Sequence, residues 1–140
     1  MEITALQACK ADLFSQLQTI SRQNYMLLAQ LQNNKALNDE VQTAAINSAR
    51  EGLSYEFNSC IDQAAIVCGN PLLHTLRHDT SLLYQDDRAA LVGRGGKHAQ
   101  ALHTLMNLSS KIHSATEYLD RAFEKKIAAL QCVQKEHMPY

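Results

Sequence analysis

The sequence predicts an all-α protein, folded as an antiparallel four-helix bundle with no sheet. Apolar residues recur three or four positions apart along two long segments, which is the spacing of one face of a helix. Only two prolines and five glycines occur among 140 residues, so helix breakers are rare. No segment alternates apolar and polar residues over the length of a strand. Together, these three observations favour an all-α fold over any fold that contains a sheet.

Helix 1 is predicted from about Glu2 to Gln32, and it carries the clearest heptad pattern in the chain. Lys10 and Asn24 are the only interruptions of its apolar seam. Polar residues at such positions fix helix register and partner number at a cost in stability. The seam consists of Ile3, Leu6, Leu13, Leu17, Ile20, Leu27 and Leu31.

Helix 2 is predicted to begin after Asn38, a good N-cap, because Asp39 and Glu40 then lie in the first turn, where the helix dipole favours negative charge. Gly69, Asn70 and Pro71 should end it near Cys68. Its predicted apolar face comprises Val41, Ala45, Ala49, Leu53, Phe57, Ile61, Ala64 and Cys68.

Helix 3 is predicted from about Leu72 to Leu91, and helix 4 from about Lys97 to Glu136. Helix 4 has a second heptad seam, and short connections should make sequence neighbours antiparallel. We therefore expect an up-down-up-down bundle in a single domain over residues 1–140. The seam of helix 4 is predicted to contain Leu102, Leu105, Ser109, Ile112, Thr116, Leu119, Phe123, Leu130 and Val133.

Composition excludes several classes of function. A net charge of −1 gives no reason to expect nucleic acid or an anionic membrane as a partner. Neither a signal peptide nor a run of about 18 apolar residues is visible, so the expected location is cytoplasmic. No motif implies a cofactor, and no catalytic constellation of side chains can be identified. We expect a protein that is not an enzyme.

Helix 1 has few charged residues, although a helix that faces water on one side usually carries more. Four of its residues are predicted to form a partner-binding face: Phe14, Asn24, Tyr25 and Leu28. Two interpretations remain open. Helix 1 is either the central helix of the monomer or the contact face for a protein partner, through a helix of that partner or as a homodimer.

A glycine-rich turn precedes helix 4 and carries positive charge where a helix N-terminus prefers negative charge. Glycines allow backbone N–H groups to converge on an anion. The turn is therefore a candidate anion or partner contact through Arg94, Gly95, Gly96 and Lys97, and the alternative is a flexible solvated turn. It lacks the spacing of a P-loop.

We predict no metal site, although two arrangements of possible ligands are alternatives to this prediction. His74 and His78 are four residues apart, which on an α-helix places both imidazoles on one face, with Asp79 beside them. The second arrangement is a set of residues that an up-down-up-down bundle would bring to one end, to hold a metal or form a redox bridge: Cys9, Cys60, Cys68, Cys132 and His137.

Three short segments resemble two known families. The segment from His74 to Asp79, and that from His103 to Asn107, resemble the helical phosphoacceptor histidines of two-component signalling. Leu83-Tyr84, followed by residues 94–97, resembles the post-helix tail of some flagellar export chaperones. In those chaperones the stretch ends the chain, whereas a forty-residue helix is predicted to follow it here.

The leading expectation is a non-enzymatic interaction module, most consistent with a bacterial adaptor or a secretion or export chaperone that binds a partner helix. Heptad seams, polar interruptions and a charge-poor helix 1 favour it. The alternatives are a histidine phosphotransfer bundle and a homo-oligomeric structural component of a phage or secretion machine.

Overall fold

The computed structural model describes residues 2–33, 40–78 and 96–137, and no strand occurs among them. These described ranges contain three long helices and one 3-10 helix: α1 (Ile3–Asn33), α2 (Glu40–Cys68), the 3-10 helix (Pro71–Leu76) and α3 (Gly96–His137). The all-α prediction is confirmed for this part of the chain. None of the described helices combines the length and hydropathy needed to cross a membrane.

The core lies where α1 packs against both α2 and α3, which also contact each other. The seam predicted for α1 is confirmed, because its leucines and Ile20 are buried or half-buried and Asn24 is buried with them. The largest fully buried side chains are those of Phe57 in α2 and Phe123 in α3. A second, smaller cluster joins the three helices near the C-terminal end of α1, through Leu31, Ile46 and Leu105.

The predicted apolar face of α2 is wrong in its first half. Ala45 and Ala49 are exposed, whereas Ile46 and Arg50 are buried. Burying the larger aliphatic side chain removes more apolar surface from water than burying an alanine, so Ile46 determines which face turns inward. From Leu53 onward the predicted face is confirmed.

The predicted seam of α3 is also corrected at alternate positions. Ser109 is exposed and Thr116 half-buried, because Leu108 and Ala115 occupy the core instead, and Val133 is exposed. From Leu105 to Leu119 the buried residues are three, four, three and four positions apart, so the seven-residue repeat is present there, but every second member lies one residue before its predicted position.

α2 ends in a Schellman motif. Gly69 takes a positive φ of 65°, which a residue without Cβ adopts at little cost. Its amide donates to the carbonyl oxygen of Ile66 at 3.3 Å, and that of Asn70 donates to Ala65 at 3.1 Å. The predicted end of helix 2 at Cys68 is therefore confirmed.

Helix 3 does not begin as an α-helix at Leu72. Pro71 opens a 3-10 helix that stops at Leu76, and its N-cap is Asn70, whose side chain accepts from the Leu72 amide. Two residues later the chain is bound to α2: Asn58 exchanges two hydrogen bonds with the backbone of His78, at 2.7 and 3.1 Å. These tertiary contacts, absent from any local pattern, override the helical periodicity. The predicted end at Leu91 lies outside the described residues.

Candidate protein-binding groove

Lys10, the first polar interruption of the α1 seam, joins α1 to α3. Its ammonium group lies 2.8 Å from the carboxylate of Asp120 and 2.7 Å from that of Glu124. Hydrogen bonds to these two carboxylates raise the pKa of Lys10. The same ammonium lies 5.6 Å from the centroid of the Phe14 ring, within the range of a cation–π contact. Phe14 is thus held at the boundary between the two helices.

Asn24, the second interruption, lies inside the protein. Its side chain is only 1% exposed, and its amide nitrogen donates to the backbone carbonyl oxygen of Leu105 at 3.0 Å. The amide oxygen has no hydrogen-bond partner among the described residues. Asn24 therefore connects α1 to α3 within the chain and does not contribute a surface group to the predicted partner-binding face.

An open groove of about 380 Å³ runs between α1 and α2, and one of about 640 Å³ runs between α1 and α3. None of the residues lining the larger one, the α1–α3 groove, is Lys, Arg, Asp or Glu. From α1 it is lined by Ala11, Phe14, Ser15, Leu17, Gln18 and Ser21. From α3 it is lined by Ser109, Ile112, His113 and Thr116.

The predicted face of helix 1 continues this groove. Tyr25 and Leu28 follow Ser21 by four and seven residues, so they lie on the same side of α1. Tyr25 is 73% exposed, while Phe14 and Leu28 are half-buried. On α3, Met106 lies three residues before the lining residue Ser109 and is 57% exposed. The groove thus has apolar groups toward both ends and hydroxyl and amide groups between them.

The α3 wall of the groove was not predicted from the sequence. Ser109 and Thr116 were placed in the core seam, whereas the structure turns them to the groove. His113 also lines the groove; it is exposed and lies 3.7 Å from Glu117. Which side of α3 faces α1 depends on how the two helices pack, so no period in the sequence identifies this wall.

The predicted anion site remains a prediction. Arg94 and Gly95 lie outside the described residues, Gly96 is the first residue of α3, and the side chain of Lys97 is not among those described.

The predicted pairing of His74 and His78 on one helix face is wrong. His74 is exposed, and its Nδ1 lies 2.9 Å from the Asp62 carboxylate. His78 is only 3% exposed, with its Nδ1 3.0 Å from the Ser54 hydroxyl oxygen. The α-helical spacing fails because the 3-10 helix ends at Leu76.

His78 is too buried for a phosphoacceptor, whereas His74 and His103 are exposed.

The cysteines do not assemble a metal site within the part of the chain that the structure describes, where no group of three or more potential ligands occurs. All four are free thiols. Cys9 and Cys68 are half-buried, and burial raises the pKa of Cys68, which the nearby Cys9 raises further. Cys60 is buried and donates to the side-chain oxygen of Gln16 at 3.1 Å, and Cys132 is exposed.

The buried Cys60 thiol predicts a pH-dependent stability. Burial, with smaller contributions from Glu56 and Asp12, raises its pKa from the ordinary 9.0 to about 11. Since the thiolate is disfavoured only in the folded protein, this contribution to stability is complete below pH 9 and is lost as the pH rises through 11. Between those values the free energy of unfolding should fall by about 2 kcal/mol because of Cys60.

Urea denaturation at a series of alkaline pH values measures this dependence. The Cys60→Ala variant should show a shallower decrease than the wild type over the same range. Cys132→Ala, which alters an exposed cysteine, is the matched control and should follow the wild type. Parallel curves for wild type and Cys60→Ala would contradict the prediction.

Comparisons of the chain with protein-family models, with curated proteins and with solved structures gave no match.

Proposed function

We propose that the protein is a non-enzymatic protein–protein interaction module whose α1–α3 groove binds a helix of a protein partner. The observation that carries the proposal is the groove itself: two helices line it without a fixed charge, and Phe14, Tyr25 and Met106 supply apolar groups toward its ends. Within this class we favour a cytoplasmic bacterial adaptor or a secretion or export chaperone, which also fits the resemblance of Leu83-Tyr84 and residues 94–97 to flagellar export chaperones.

The proposed architecture is an antiparallel four-helix bundle. Two observations support opposite directions for α1 and α3: Asn24 bonds to Leu105, whereas Lys10 pairs with Asp120, which is later in the chain. The contact of Gln16 with Cys60, and the cluster that joins Leu31 to Ile46, support the same relation between α1 and α2. The remaining helix of such a bundle is the one predicted to end at Leu91.

The dimensions of the groove suit a helical ligand. From Ala11 to Leu28 the α1 wall is about 26 Å long at 1.5 Å per residue, or roughly five turns. A helix that lies in a groove between two helices buries one apolar stripe and leaves its polar side in water. Ser21 and Ser109 offer hydroxyl groups at the centre, so small or hydrogen-bonding partner residues should face them.

Affinity purification from the native host, followed by mass spectrometry, tests the proposal. The wild-type protein should retain a partner protein, and Tyr25→Ala should reduce its recovery at least about tenfold, since exposed tyrosines are common binding hot spots. Tyr55→Ala is the matched control, because Tyr55 is equally exposed on α2 but lies outside the α1–α3 groove.

Equal recovery of every partner by Tyr25→Ala, Tyr55→Ala and the wild type would contradict the assignment of this groove. Circular dichroism of both variants should match that of the wild type, because neither side chain belongs to the buried core.

A further inference from the structure

One face of α1 has a symmetric order of residues. It consists of Ala11, Phe14, Gln18, Ser21, Tyr25 and Leu28, called here the second stripe. Successive members are three, four, three, four and three residues apart, so the spacing reads the same in both directions. The midpoint lies between Gln18 and Ser21.

In an antiparallel pair of second stripes, the residues that face each other are complementary in size and chemistry. An antiparallel copy aligned at the midpoint would bring Phe14 to Tyr25, and the small Ala11 to the larger Leu28. Gln18 would meet Ser21, a pair that can share a hydrogen bond. Aromatic pairs contribute more than their buried area alone, and twofold symmetry would form the Phe14–Tyr25 pair twice.

Charge also permits this pairing. In a twofold symmetric interface the residues nearest the axis meet their own copies, so a charge there repels itself. No Lys, Arg, Asp or Glu belongs to the second stripe or lines the α1–α3 groove, and the exposed Arg22 flanks the stripe four residues after Gln18 and three before Tyr25. The members of the stripe are exposed or half-buried in the single chain, which leaves them accessible.

We propose that the occupant of the α1–α3 groove in the free protein is α1 of a second copy of this chain, packed antiparallel through the second stripe. The inference rests on the proposed function, since it names a partner helix for the same groove. α1 of the second copy would run in the same direction as α3 and contact Met106 and Ser109. A heterologous partner helix then has to displace the second copy, so partner binding and dimer formation compete.

The strength of the dimer should be moderate. The contact runs for about 26 Å along α1, which is five helical turns. Because the centre of this contact is polar and a single helix face of each copy forms most of it, we expect a Kd between about 1 and 100 µM.

Complementary charge variants test the pairing. In the acidic variant, Gln18→Glu and Ser21→Glu place like charges at the centre of the dimer. In the basic variant, Gln18→Lys and Ser21→Lys do the same with the opposite sign. Both residues are exposed, and Glu and Lys are good helix formers, so each variant should fold. The matched control is Ala128→Glu with Gln131→Glu, which places two charges at the same spacing on an exposed part of α3 away from the groove.

Sedimentation equilibrium under reducing conditions gives the readout. We expect the wild type and the control to reach twice the chain mass of 15.6 kDa as concentration rises. Each charge variant alone should remain at the monomer mass, and an equimolar mixture of the two should recover the dimer. A wild type that stays monomeric up to about 100 µM would overturn the proposal. So would acidic and basic variants that dimerise as the wild type does, or a mixture that stays monomeric.

These outcomes are separable from failure of the proposed function. A monomeric wild type that still loses its partner on Tyr25→Ala would remove the dimer and leave the groove as the partner site. In the converse case, the acidic and basic variants recover the dimer on mixing while Tyr25→Ala retains every partner protein. That combination would assign the groove to self-association alone.

Discussion

Replacing Phe57 with alanine should lower the free energy of unfolding by about 3–5 kcal/mol, the largest effect we expect from a single substitution. The Phe57 side chain is fully buried at the centre of the cluster where the three long helices meet. Its removal loses the favourable transfer of the ring from water and leaves a cavity that rigid helices fill poorly. Since small domains are stable by about 5–15 kcal/mol, this loss is a large fraction of the total free energy of unfolding.

Chemical denaturation followed by circular dichroism measures this loss. Tyr55→Ala is the matched control, since it also removes an aromatic ring from α2 but at a position that is 77% exposed. Its effect should stay within about 0.5 kcal/mol. Similar losses for Phe57→Ala and Tyr55→Ala would mean that the described packing of α2 against α1 and α3 is incorrect.

Replacing Asn24 with leucine should raise the free energy of unfolding by about 1–2 kcal/mol. The amide is buried, and its oxygen has no hydrogen-bond partner among the described residues. Leucine has the same branching as asparagine, so its side chain fits the space that Asn24 occupies. The substitution also removes the buried acceptor. The carbonyl oxygen of Leu105 loses the Asn24 donor but, inside a helix, also faces the backbone amide four residues later.

The thermal unfolding of Asn24→Leu is compared with that of Asn24→Ala. The comparison separates the contribution of the hydrogen bond from that of filling the buried site. Alanine removes the hydrogen bond and leaves a cavity, so it should be less stable than the wild type, whereas leucine should be more stable. A destabilised Asn24→Leu variant would show that the hydrogen bond to Leu105 is worth more than the burial of an apolar side chain. Sedimentation of the same variant reports whether Asn24 also influences the number of chains in the assembly.

The sequence predicted the elements with the strongest periodicity. The core face of α1 follows directly from seven large aliphatic residues in one register. The first half of α2 is different, because alanines at 45 and 49 are weak hydrophobic signals that compete with Ile46 in the neighbouring register. Arg50 is buried as well, which is compatible with its long aliphatic stem but is not expected from composition.

The parts that could not be predicted depend on contacts between residues distant in sequence. The chain leaves the helical path after Leu76, and His78 is then held by Asn58 and Ser54 of α2. The second stripe of α1 could be identified from the sequence, in Phe14, Tyr25 and Leu28. Its α3 counterpart could not, because which side of α3 faces α1 depends on how the pair packs.

The two polar interruptions of α1 restrict how the protein can accommodate a ligand. Lys10 and Asn24 are two heptads apart, and both are attached to α3. If α3 slid along α1 by one heptad, roughly 10 Å, the Lys10 ion pairs and the Asn24 hydrogen bond would all be lost together. While both attachments hold, α3 can move relative to α1 only by rotation about the line that joins them, so any widening of the groove has to occur by that rotation.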